Sequence, residues 1–544
     1  MAGMQRVTNR RLVQSRPVSG QRPRVLQTAS GVMGVVVLSL MLTGEVTAQQ
    51  ATGAPRATGP DRPNTLAGCR LPLPGGGDQD SGLGELYVEN RQGRPFLFAP
   101  SLTLRQTYSD NVNLQPKSFG QRDSDWVTQL IPAMSLCRSS PRLRTQLDYQ
   151  AEITRYQRDS DRDDVFHRLN SDNSAVLVSD RVFLDFGATY DQRQISSRGA
   201  FSDDNILDTD NRTDAITLRA SPYVVQDLGR VGTSVVRYTY NRTNYQEDVA
   251  NLERHTGSAQ VTSPAGSDPL TWQASVRSER VNRSNVDRAE YFDDAFLQLG
   301  YRVIGRLTVL GRVGAETENR IDGTRDRFGS DYWEAGARWA DDRTSIEGRY
   351  GRRFFGDTYF AAISRRTSRH VGSLSYRETQ QVSDRFTVLS PEDLGLPRVI
   401  EDPVTGDPLE LPDIVVAENE IFLSRRTTAT SNFATGRSTL RISGFYEERE
   451  YLVTEEDEER IGVAASLRWQ WLPRTAVIPR ASWEQLEFRD GRKDTIRGFR
   501  LSLAHLLSPQ MQAGLTVRRQ SRSSHRAEDE YVENAVSAQI TRVF

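Results

Sequence analysis

The sequence lacks the features of a helical membrane protein and those of a multidomain soluble protein. Beyond the N-terminal region, no apolar run approaches the roughly 20 residues that a membrane-spanning helix needs. No linker rich in Pro, Gly or Ser divides the 544 residues, although a soluble chain of this length would usually split into several domains. These absences leave one large, continuous β-structure as the simplest organisation.

Lysine and cysteine are also scarce. Lysine occurs only at Lys117 and Lys493, so arginine supplies nearly all of the positive charge, and the formal net charge is −1. Arginine suits a protein interior crossed by ion pairs because its planar fork binds carboxylates bidentately. The two cysteines, Cys69 and Cys137, could pair in an oxidising compartment or stay free, and the sequence leaves both alternatives open.

The N-terminal region predicts export. Residues 1–30 are basic without an acid, residues 32–43 are apolar but too short to span a membrane, and small residues follow up to Ala48. This order is typical of a Sec signal peptide, with cleavage expected after Ala48. Residues 66–69 (LAGC) match a lipobox, but they do not directly follow the apolar core, so we do not expect lipidation. The predicted organisation is a signal peptide at 1–48, a flexible periplasmic leader at 49–97 and a barrel at 98–544.

Strands are indicated by strict alternation of apolar and polar residues. The pattern is clearest over 142–154, 182–191 and 461–471, where aliphatic and aromatic residues alternate with Arg, Asp, Gln and Gly. Such a period of two is the primary strand signal. A mean hydropathy of −0.58 does not exclude a membrane barrel, because only alternate strand residues face lipid.

Short and long connections alternate along the chain, as expected for periplasmic turns and extracellular loops. Most of the short turns place Gly, Pro, Asp or Ser before an Arg that opens the next strand: 140–142, 179–181, 228–230, 304–306, 341–343, 383–385, 435–437 and 472–474, with 263–269 and 508–509 as further turns. The longer polar loops are 109–123, 157–164, 195–211, 245–252, 281–289, 318–329, 356–361, 391–419, 451–459, 489–494 and 523–530. Residues 382–386 repeat the pattern of 178–182, which predicts a strand near 385–390. Together, the short turns and the long loops predict roughly 18–22 strands, with both termini periplasmic.

The chain ends in the pattern of a last barrel strand. Val536, Ala538, Ile540 and Phe544 fall on one face, and polar residues fall on the other. This is the signature that we expect the outer-membrane barrel-assembly machinery to recognise. The predicted fold is therefore all-β, a transmembrane antiparallel up-and-down β-barrel of roughly 18–22 strands.

Aromatic residues cluster where the predicted strands meet the long loops. Membrane barrels carry aromatic girdles at the interface, so the sequence predicts such a girdle there. Its members are Tyr108, Tyr156, Tyr190, Tyr245, Tyr291, Phe292, Tyr332, Trp333, Phe354, Phe355, Tyr451 and Phe488.

Three stretches resemble one known family. Residues 100–114 (PSLTLRQTYSDNVNL) contain a Pro-x-Leu followed by Tyr-x-Asp-Asn-Val-x-Leu, residues 124–132 read SDWVTQLIP, and residues 211–223 join an Asn-Arg-Thr to a Ser-Pro-Tyr. They are similar to signatures of the PEP-CTERM system-associated outer-membrane proteins, which are related to the β-barrel porin 2 group. The resemblance is clearest over 98–240. It implies a role beside exopolysaccharide loci, in envelope or polysaccharide export.

No constellation for catalysis or metal binding is recognisable, so no enzyme activity, cofactor or metal is predicted. The nearest imitation of a catalytic site is His525 beside Ser523 and Ser524, and a solvated loop histidine is the ordinary explanation. Acidic loops could bind divalent cations, but solvated surface loops are the simpler interpretation: Asp159, Asp161, Asp163, Asp164, Asp203, Asp204, Asp208, Asp210 and residues 455–459.

The inward face of the predicted barrel supplies the candidate functional residues. The charged residues expected to line the lumen are Arg142, Arg144, Asp148, Glu152, Arg312, Glu316, Arg468 and Arg500. Their mixed signs suggest ladders of ion pairs. The proline-rich loop 391–419 could fold inward as a constriction or cover the outer mouth.

The sequence favours a porin-like pore or export conduit for a polysaccharide or another envelope polymer. The first alternative is a non-conducting structural scaffold for surface polymer or adhesion. A gated, energised uptake transporter is disfavoured because the leader of roughly 50 residues is too short for a folded plug, and an outer-membrane enzyme has no recognisable site. Outer-membrane lipid, lipopolysaccharide and the barrel-assembly machinery are the expected partners, and nucleic acid is not.

Overall fold

A computed structural model places most of the chain beyond residue 95 in one closed sheet. The structure describes residues 70–71, 88–89, 96–116, 122–194, 204–207, 209, 211–246, 251–264, 266–284, 286–319, 325–382, 387–389, 399–401, 408–410, 414–416, 421–451, 457–489 and 491–544. The predicted signal peptide, its cleavage after Ala48 and nearly all of the predicted leader lie outside the described residues. Among those that are described, no helix is long and apolar enough to cross a membrane.

The closed sheet is an up-and-down barrel in which each strand pairs antiparallel with its neighbours along the chain. The 22 strands are β1 (Phe96–Ser109), β2 (Asp125–Ser139), β3 (Leu143–Tyr156), β4 (Asp164–Val178), β5 (Val182–Gln194), β6 (Arg212–Asp227), β7 (Thr233–Tyr245), β8 (Leu252–Thr262), β9 (Leu270–Arg283), β10 (Val286–Ile304), β11 (Leu307–Asn319), β12 (Arg325–Ala340), β13 (Thr344–Arg353), β14 (Gly356–Arg366), β15 (His370–Val382), β16 (Ile421–Ala434), β17 (Ser438–Tyr451), β18 (Asp457–Leu472), β19 (Thr475–Phe488), β20 (Lys493–Ser508), β21 (Met511–Ser523) and β22 (Tyr531–Val543). The predicted all-β barrel is confirmed, at the upper end of the predicted strand range.

The barrel closes where the last strand meets the first. β22 pairs antiparallel with β1, from Ala535 opposite Ser109 to Val543 opposite Ser101. Closure leaves the sheet without exposed edges, which removes the unpaired backbone groups that drive edge-to-edge association. The C-terminal strand predicted from its alternating pattern is therefore the strand that seals the barrel.

Four of the described short turns, which begin at Ser140, Asp341, Thr367 and Thr435, share one hydrogen-bonded geometry. The side chain of Asp341 accepts a hydrogen bond from the N–H of Thr344 at 2.6 Å, and its own N–H donates to the Thr344 carbonyl at 2.8 Å. Thr435 and Ser438 make the same pair of bonds, at 3.0 and 2.7 Å. A short polar side chain at the first turn position therefore satisfies the backbone where the ladder stops, which explains the recurring turn sequence.

One predicted barrel strand is wrong. β15 ends at Val382 and pairs with the strand that begins at Ile421, and the described residues 387–389 belong to no barrel strand. The predicted turn at 383–385 lies outside the described residues. A short turn that was not predicted lies at 367–369, where the Thr367 side chain accepts from the His370 N–H at 3.1 Å. The barrel still has 22 strands, because this turn adds one strand in place of the one predicted near 385–390. The similarity of 382–386 to 178–182 was therefore misleading.

The connection between β15 and β16 contains short ladders outside the barrel. Thr387–Leu389 pairs with Ile414–Val416, and Val399–Glu401 pairs with Pro408–Glu410. The predicted strand at 385–390 thus survives only as a three-residue strand of this connection. The predicted inward folding of loop 391–419 falls largely outside the described residues.

Smaller elements complete the fold. Single turns of 3₁₀-helix lie at Ser160–Arg162 and Ala527–Asp529 in the connections that follow β3 and β21. The predicted long loop at 356–361 is wrong: these residues belong to β14, which a two-residue connection joins to β13. Arg70–Leu71 pairs with Val88–Glu89 and lies against β2.

Candidate functional site

The two faces of the barrel wall differ in chemistry. On β1, Leu102 and Leu104 are 38% and 54% exposed on the outside, whereas Thr103 and Thr107 on the inside are fully buried. The same alternation recurs on the other strands, so the exterior is aliphatic and aromatic and the interior is polar. A closed barrel with this exterior has the surface of a membrane-spanning protein.

Aromatic side chains form a band at each end of the exterior. The band at the long-loop end includes Trp126, Trp333, Tyr350 and Tyr359, and the band at the short-turn end includes Phe96, Tyr301, Trp469, Trp471 and Phe544. Several aromatics that the sequence placed in a girdle instead face inward and are buried, among them Tyr156, Tyr332, Tyr451 and Phe488. The error arises because alternation assigns residues to two faces, and an aromatic near a loop can belong to either.

Hydroxyl groups bind one another across neighbouring strands of the inner wall. Thr103 and Thr541 are 2.8 Å apart at the β1–β22 closure, and Thr107 and Ser537 are 2.9 Å apart two residues along it. Hydroxyls that bind each other in this way satisfy one another's hydrogen-bonding groups at the closure.

Ion pairs connect further strands of the inner wall. Glu447 on β17 is fully buried and accepts from Arg426 on β16 at 3.1 Å and from Arg449 at 3.0 Å. Arg449 also lies 3.7 Å from Glu458 on β18. Because removing one partner leaves an uncompensated buried charge, this cluster fixes the relation of three adjacent strands.

Seven of the eight residues predicted to line the lumen lie on the inner side of strands: Arg144, Asp148 and Glu152 on β3, Arg312 and Glu316 on β11, Arg468 on β18 and Arg500 on β20. Arg142 lies instead in the turn before β3. Ion pairs join some of them to other strands, such as Arg312 to Glu334 on β12 at 3.6 Å and Glu316 to Arg353 on β13 at 3.1 Å. That these residues line a conducting lumen stays a prediction.

A segment of the loop between β5 and β6 enters the barrel. Asp204 lies 2.6 Å from Arg518 on β21, and the Asn205 side chain donates to Glu152 on β3 at 3.1 Å. The Tyr156 hydroxyl donates to the Ile206 carbonyl at 2.9 Å. The segment 204–207 is thereby held against the inner faces of β3 and β21.

An apolar cluster anchors the same segment. Ile206 and Leu207 are fully buried, and they cluster with Val112 from the loop after β1, with Val127 on β2 and with Tyr531 on β22. Burying a large aliphatic side chain stabilises a structure by about 1.5–3 kcal/mol. Two such side chains in an otherwise polar loop therefore favour the inward position.

The carboxylate of Asp204 is held in its charged form. Burial would raise its pKa, but the guanidinium groups of Arg518, Arg105 and Arg500 outweigh that effect and lower the pKa below its usual value. The prediction from the sequence that Asp204 is a solvated loop residue is wrong, because its side chain is only 13% exposed. The available signal was the apolar pair Ile206 and Leu207 inside a polar loop.

Three arginines form a row beside this contact. Arg480 on β19 lies directly opposite Arg500 on β20, and Arg500 lies directly opposite Arg518 on β21. Arg518 also binds Glu533 on β22 at 2.9 Å. We call Arg480, Arg500 and Arg518 the arginine row.

Cys137 is disulfide-bonded and lies on the inner face of β2, beside Ala99 and Val543. Cys69 is the chain's only other cysteine and lies outside the described residues. The sequence left the pairing of the two open, and this question involves Cys69 and so falls outside the described residues.

The histidines are dispersed, on β4 (His167), β8 (His255), β15 (His370) and β20 (His505) and in the loop before β22 (His525). His525 accepts a hydrogen bond from the Lys493 N–H at 3.0 Å. Within the part of the chain that the structure describes, no group of three or more His, Cys, Asp or Glu residues could hold a metal ion. That the chain is not an enzyme stays a prediction.

No family model matches the chain, and no curated protein matches it. Among solved structures, it is similar to the siderophore receptor PirA from Pseudomonas aeruginosa, at 12% identity and a TM-score of 0.42, over 82% of this chain and 80% of that chain. It is also similar to PirA from Acinetobacter baumannii, at 10% identity and a TM-score of 0.45 over 82% and 80%. The FrpB iron transporter from Neisseria meningitidis matches at 10% identity and a TM-score of 0.46, over 82% of each chain.

Proposed function

We propose that the chain forms a pore or export conduit in a bacterial outer membrane. The observation that carries the proposal is the combination of an apolar exterior with an inner wall of charged and hydrogen-bonding side chains. In lipid, a β-structure must be closed to satisfy every backbone group, and bacterial outer-membrane barrels have an even strand number with short turns at one end and long loops at the other. A barrel of this width either fills its interior or conducts through it.

The cargo that we propose is a polysaccharide or another envelope polymer. The support is the resemblance of residues 98–240 to the PEP-CTERM system-associated outer-membrane proteins, together with a polar wall that offers hydrogen bonds to a hydrated chain. Deleting the gene should reduce the polymer recovered outside the cell and leave polymer in the periplasm. Unchanged polymer at the surface of the deletion strain would contradict this cargo.

The second candidate is a non-conducting scaffold in contact with outer-membrane lipid and lipopolysaccharide. It is favoured by the burial of inward-facing residues near the closure, such as Thr103, Thr107 and Gln129, and by the entry of segment 204–207 into the same region. A scaffold needs no open path through the barrel.

Conductance in planar lipid bilayers separates the two candidates. The intact barrel should pass steady current, and a variant without residues 391–419 shows whether that loop narrows the path. If the intact barrel passes no current and the variant without residues 391–419 does, the barrel is a gated conduit. If neither protein passes current, the conduit is overturned and the scaffold is favoured.

A further inference from the structure

We propose that the exterior of β20 and β21 carries a binding site for a phosphorylated lipid of the outer leaflet, formed by Arg497 and Arg519. The site requires that the barrel span the outer membrane, as proposed above. It does not require that the barrel conduct. It gives the expected contact with outer-membrane lipid a defined place on the wall.

Both arginines lie on the outer face of the barrel, near the long loops. Side chains two residues apart in a strand share a face, so Arg497 lies on the face of Phe499, and Arg519 lies on the face of Val517. Phe499 and Val517 are 48% and 43% exposed on the apolar exterior. Each arginine is placed between these lipid-facing residues and the long-loop end of its strand. Long loops of outer-membrane barrels are extracellular, so the pair belongs to the outer leaflet.

The aromatic band at the long-loop end sets the height of the pair. Arg497 lies directly opposite Trp483 on β19. Two strands beyond β21, Tyr108 on β1 packs against Trp126 on β2, with ring centroids 5.2 Å apart. Aromatic side chains of membrane barrels mark the interface between lipid and water, so guanidinium groups at this level reach the lipid headgroups.

The wall does not neutralise the charge of the pair. The Arg497 side chain forms no hydrogen bond or ion pair with any residue that the structure describes, and Arg519 donates one hydrogen bond, to the Asn534 side chain at 2.9 Å. The exterior faces of β20, β21 and β22, which are described in full, carry no acid. The acid on the exterior of β19 is Glu487, and it pairs with Lys493 at 3.1 Å. A guanidinium has five N–H donors, so most donors of the pair are open to a ligand.

Neighbouring residues hold Arg519 in place and add a hydroxyl. Asp110, in the loop after β1, accepts hydrogen bonds from the backbone and the side chain of Asn534, both at 2.7 Å. These bonds fix the Asn534 side chain that binds Arg519. Ser521 lies two residues from Arg519 on the same face and directly opposite Arg497. Two guanidinium groups around a hydroxyl form a set of donors that suits phosphate, which arginine binds through two parallel hydrogen bonds.

The occupant must join a phosphate to apolar chains. Nearer the middle of the wall, the exterior of the same two strands is apolar and exposed, at Phe499, Leu501, Leu515 and Val517. A soluble anion would contact the arginines alone, whereas a phosphorylated lipid contacts the arginines with its headgroup and the apolar surface with its acyl chains. The glycolipid lipid A, which carries phosphates on its sugars, has this chemistry.

Native mass spectrometry of the detergent-solubilised barrel tests the site, with diphosphoryl lipid A as the probe. Each arginine near an anionic headgroup contributes about fivefold to affinity, so R497Q/R519Q should bind about 25-fold more weakly than the wild type. The matched control R437Q/R474Q removes two exposed arginines from short turns at the opposite end of the barrel. It should bind like the wild type. Lipid A without its phosphates should bind the wild type and R497Q/R519Q equally weakly.

Three results would overturn the site. They are equal affinity of R497Q/R519Q and the wild type for diphosphoryl lipid A, an equal loss in R437Q/R474Q, and inorganic phosphate that binds as tightly as lipid A. The second would show a response to net charge alone, and the third would show a site for a soluble anion. Heat-modifiable migration on gels checks that each variant forms the closed barrel. Because binding is measured without current, loss of the lipid site leaves the conduit standing, and a barrel that passes no current leaves the lipid site standing.

Discussion

Asp204 and Arg518 are 314 positions apart in the sequence and are joined by a contact of 2.6 Å inside the barrel. The contact ties segment 204–207, in the connection between β5 and β6, to strand β21 on the inner wall. Because the partners come from distant parts of the chain, the contact forms only when the barrel is complete. It therefore reports directly on the inward position of segment 204–207.

The contact should persist into acidic solution. A carboxyl whose pKa is lowered by folding stabilises the folded arrangement above its usual value of 3.8, and this stabilisation is lost only as pH falls through the lowered pKa. Wild-type conductance should thus stay constant from neutral pH to about pH 4 and rise below it. D204N should show no such rise. A wild-type transition near neutral pH, or the same acid response in D204N, would contradict the assignment.

Glu447 should be far more sensitive to substitution than Glu450 on the same strand. Glu447→Gln leaves Arg426 without its buried counter-charge and leaves Arg449 with only the more distant Glu458, which costs about 3–5 kcal/mol. Glu450 pairs with Arg425 at 3.1 Å, but both side chains are substantially exposed, so Glu450→Gln should cost less than about 1 kcal/mol. The free energy of unfolding in urea checks both values. Equal costs would show that the cluster around Glu447 is solvated.

The hydroxyl pair at the closure should behave as a coupled unit. Thr103→Val leaves the buried Thr541 hydroxyl without its partner and should cost about 1–3 kcal/mol. The double variant T103V/T541V removes both hydroxyls and should recover most of that loss. Urea unfolding of the single and double variants measures the coupling. Additive losses would mean that the two hydroxyls do not depend on each other.

Adjacent positions of β21 should tolerate arginine differently. Val517 is 43% exposed on the apolar exterior, whereas Thr516 faces inward and binds Ser502 at 3.0 Å. Val517→Arg should cost about 2–4 kcal/mol because it places a charge near the middle of the lipid-facing band. Thr516→Arg should cost less, because its charge faces the polar interior. The free energy of refolding into lipid vesicles gives both costs. A larger cost for Thr516→Arg than for Val517→Arg would contradict the assignment of the inner and outer faces of the barrel.

Sequence alone predicted the barrel because its strands carry a period of two and its turns carry short polar residues. The turn at 367–369, which was not predicted, shows the limit of that reasoning. Thr367 makes the same side-chain hydrogen bond to the backbone as Asp341 and Thr435, and Ser368 before Arg369 fits the recurring turn sequence. The similarity of 382–386 to 178–182 was followed instead, because a local sequence pattern cannot show which of two candidate turns joins barrel strands.

The candidate site was only partly predictable, for a physical reason. Alternation placed Arg500 on the inner face, since the face of the sheet on which a side chain lies follows from the local strand pattern. It gave no information on which residues lie opposite each other on adjacent strands, so the row formed with Arg480 and Arg518 was missed. The inward position of Asp204 depends on contacts with distant strands, which no local pattern encodes.

The most direct test of the central claim is the single-channel conductance of wild-type protein and of D204N in planar bilayers. We expect measurable current through the wild type and a larger conductance in D204N, because loss of the Asp204–Arg518 contact frees segment 204–207 from the inner wall. No current through either protein would contradict the claim that this barrel is a conduit. Equal conductance in both would show that segment 204–207 does not restrict the path.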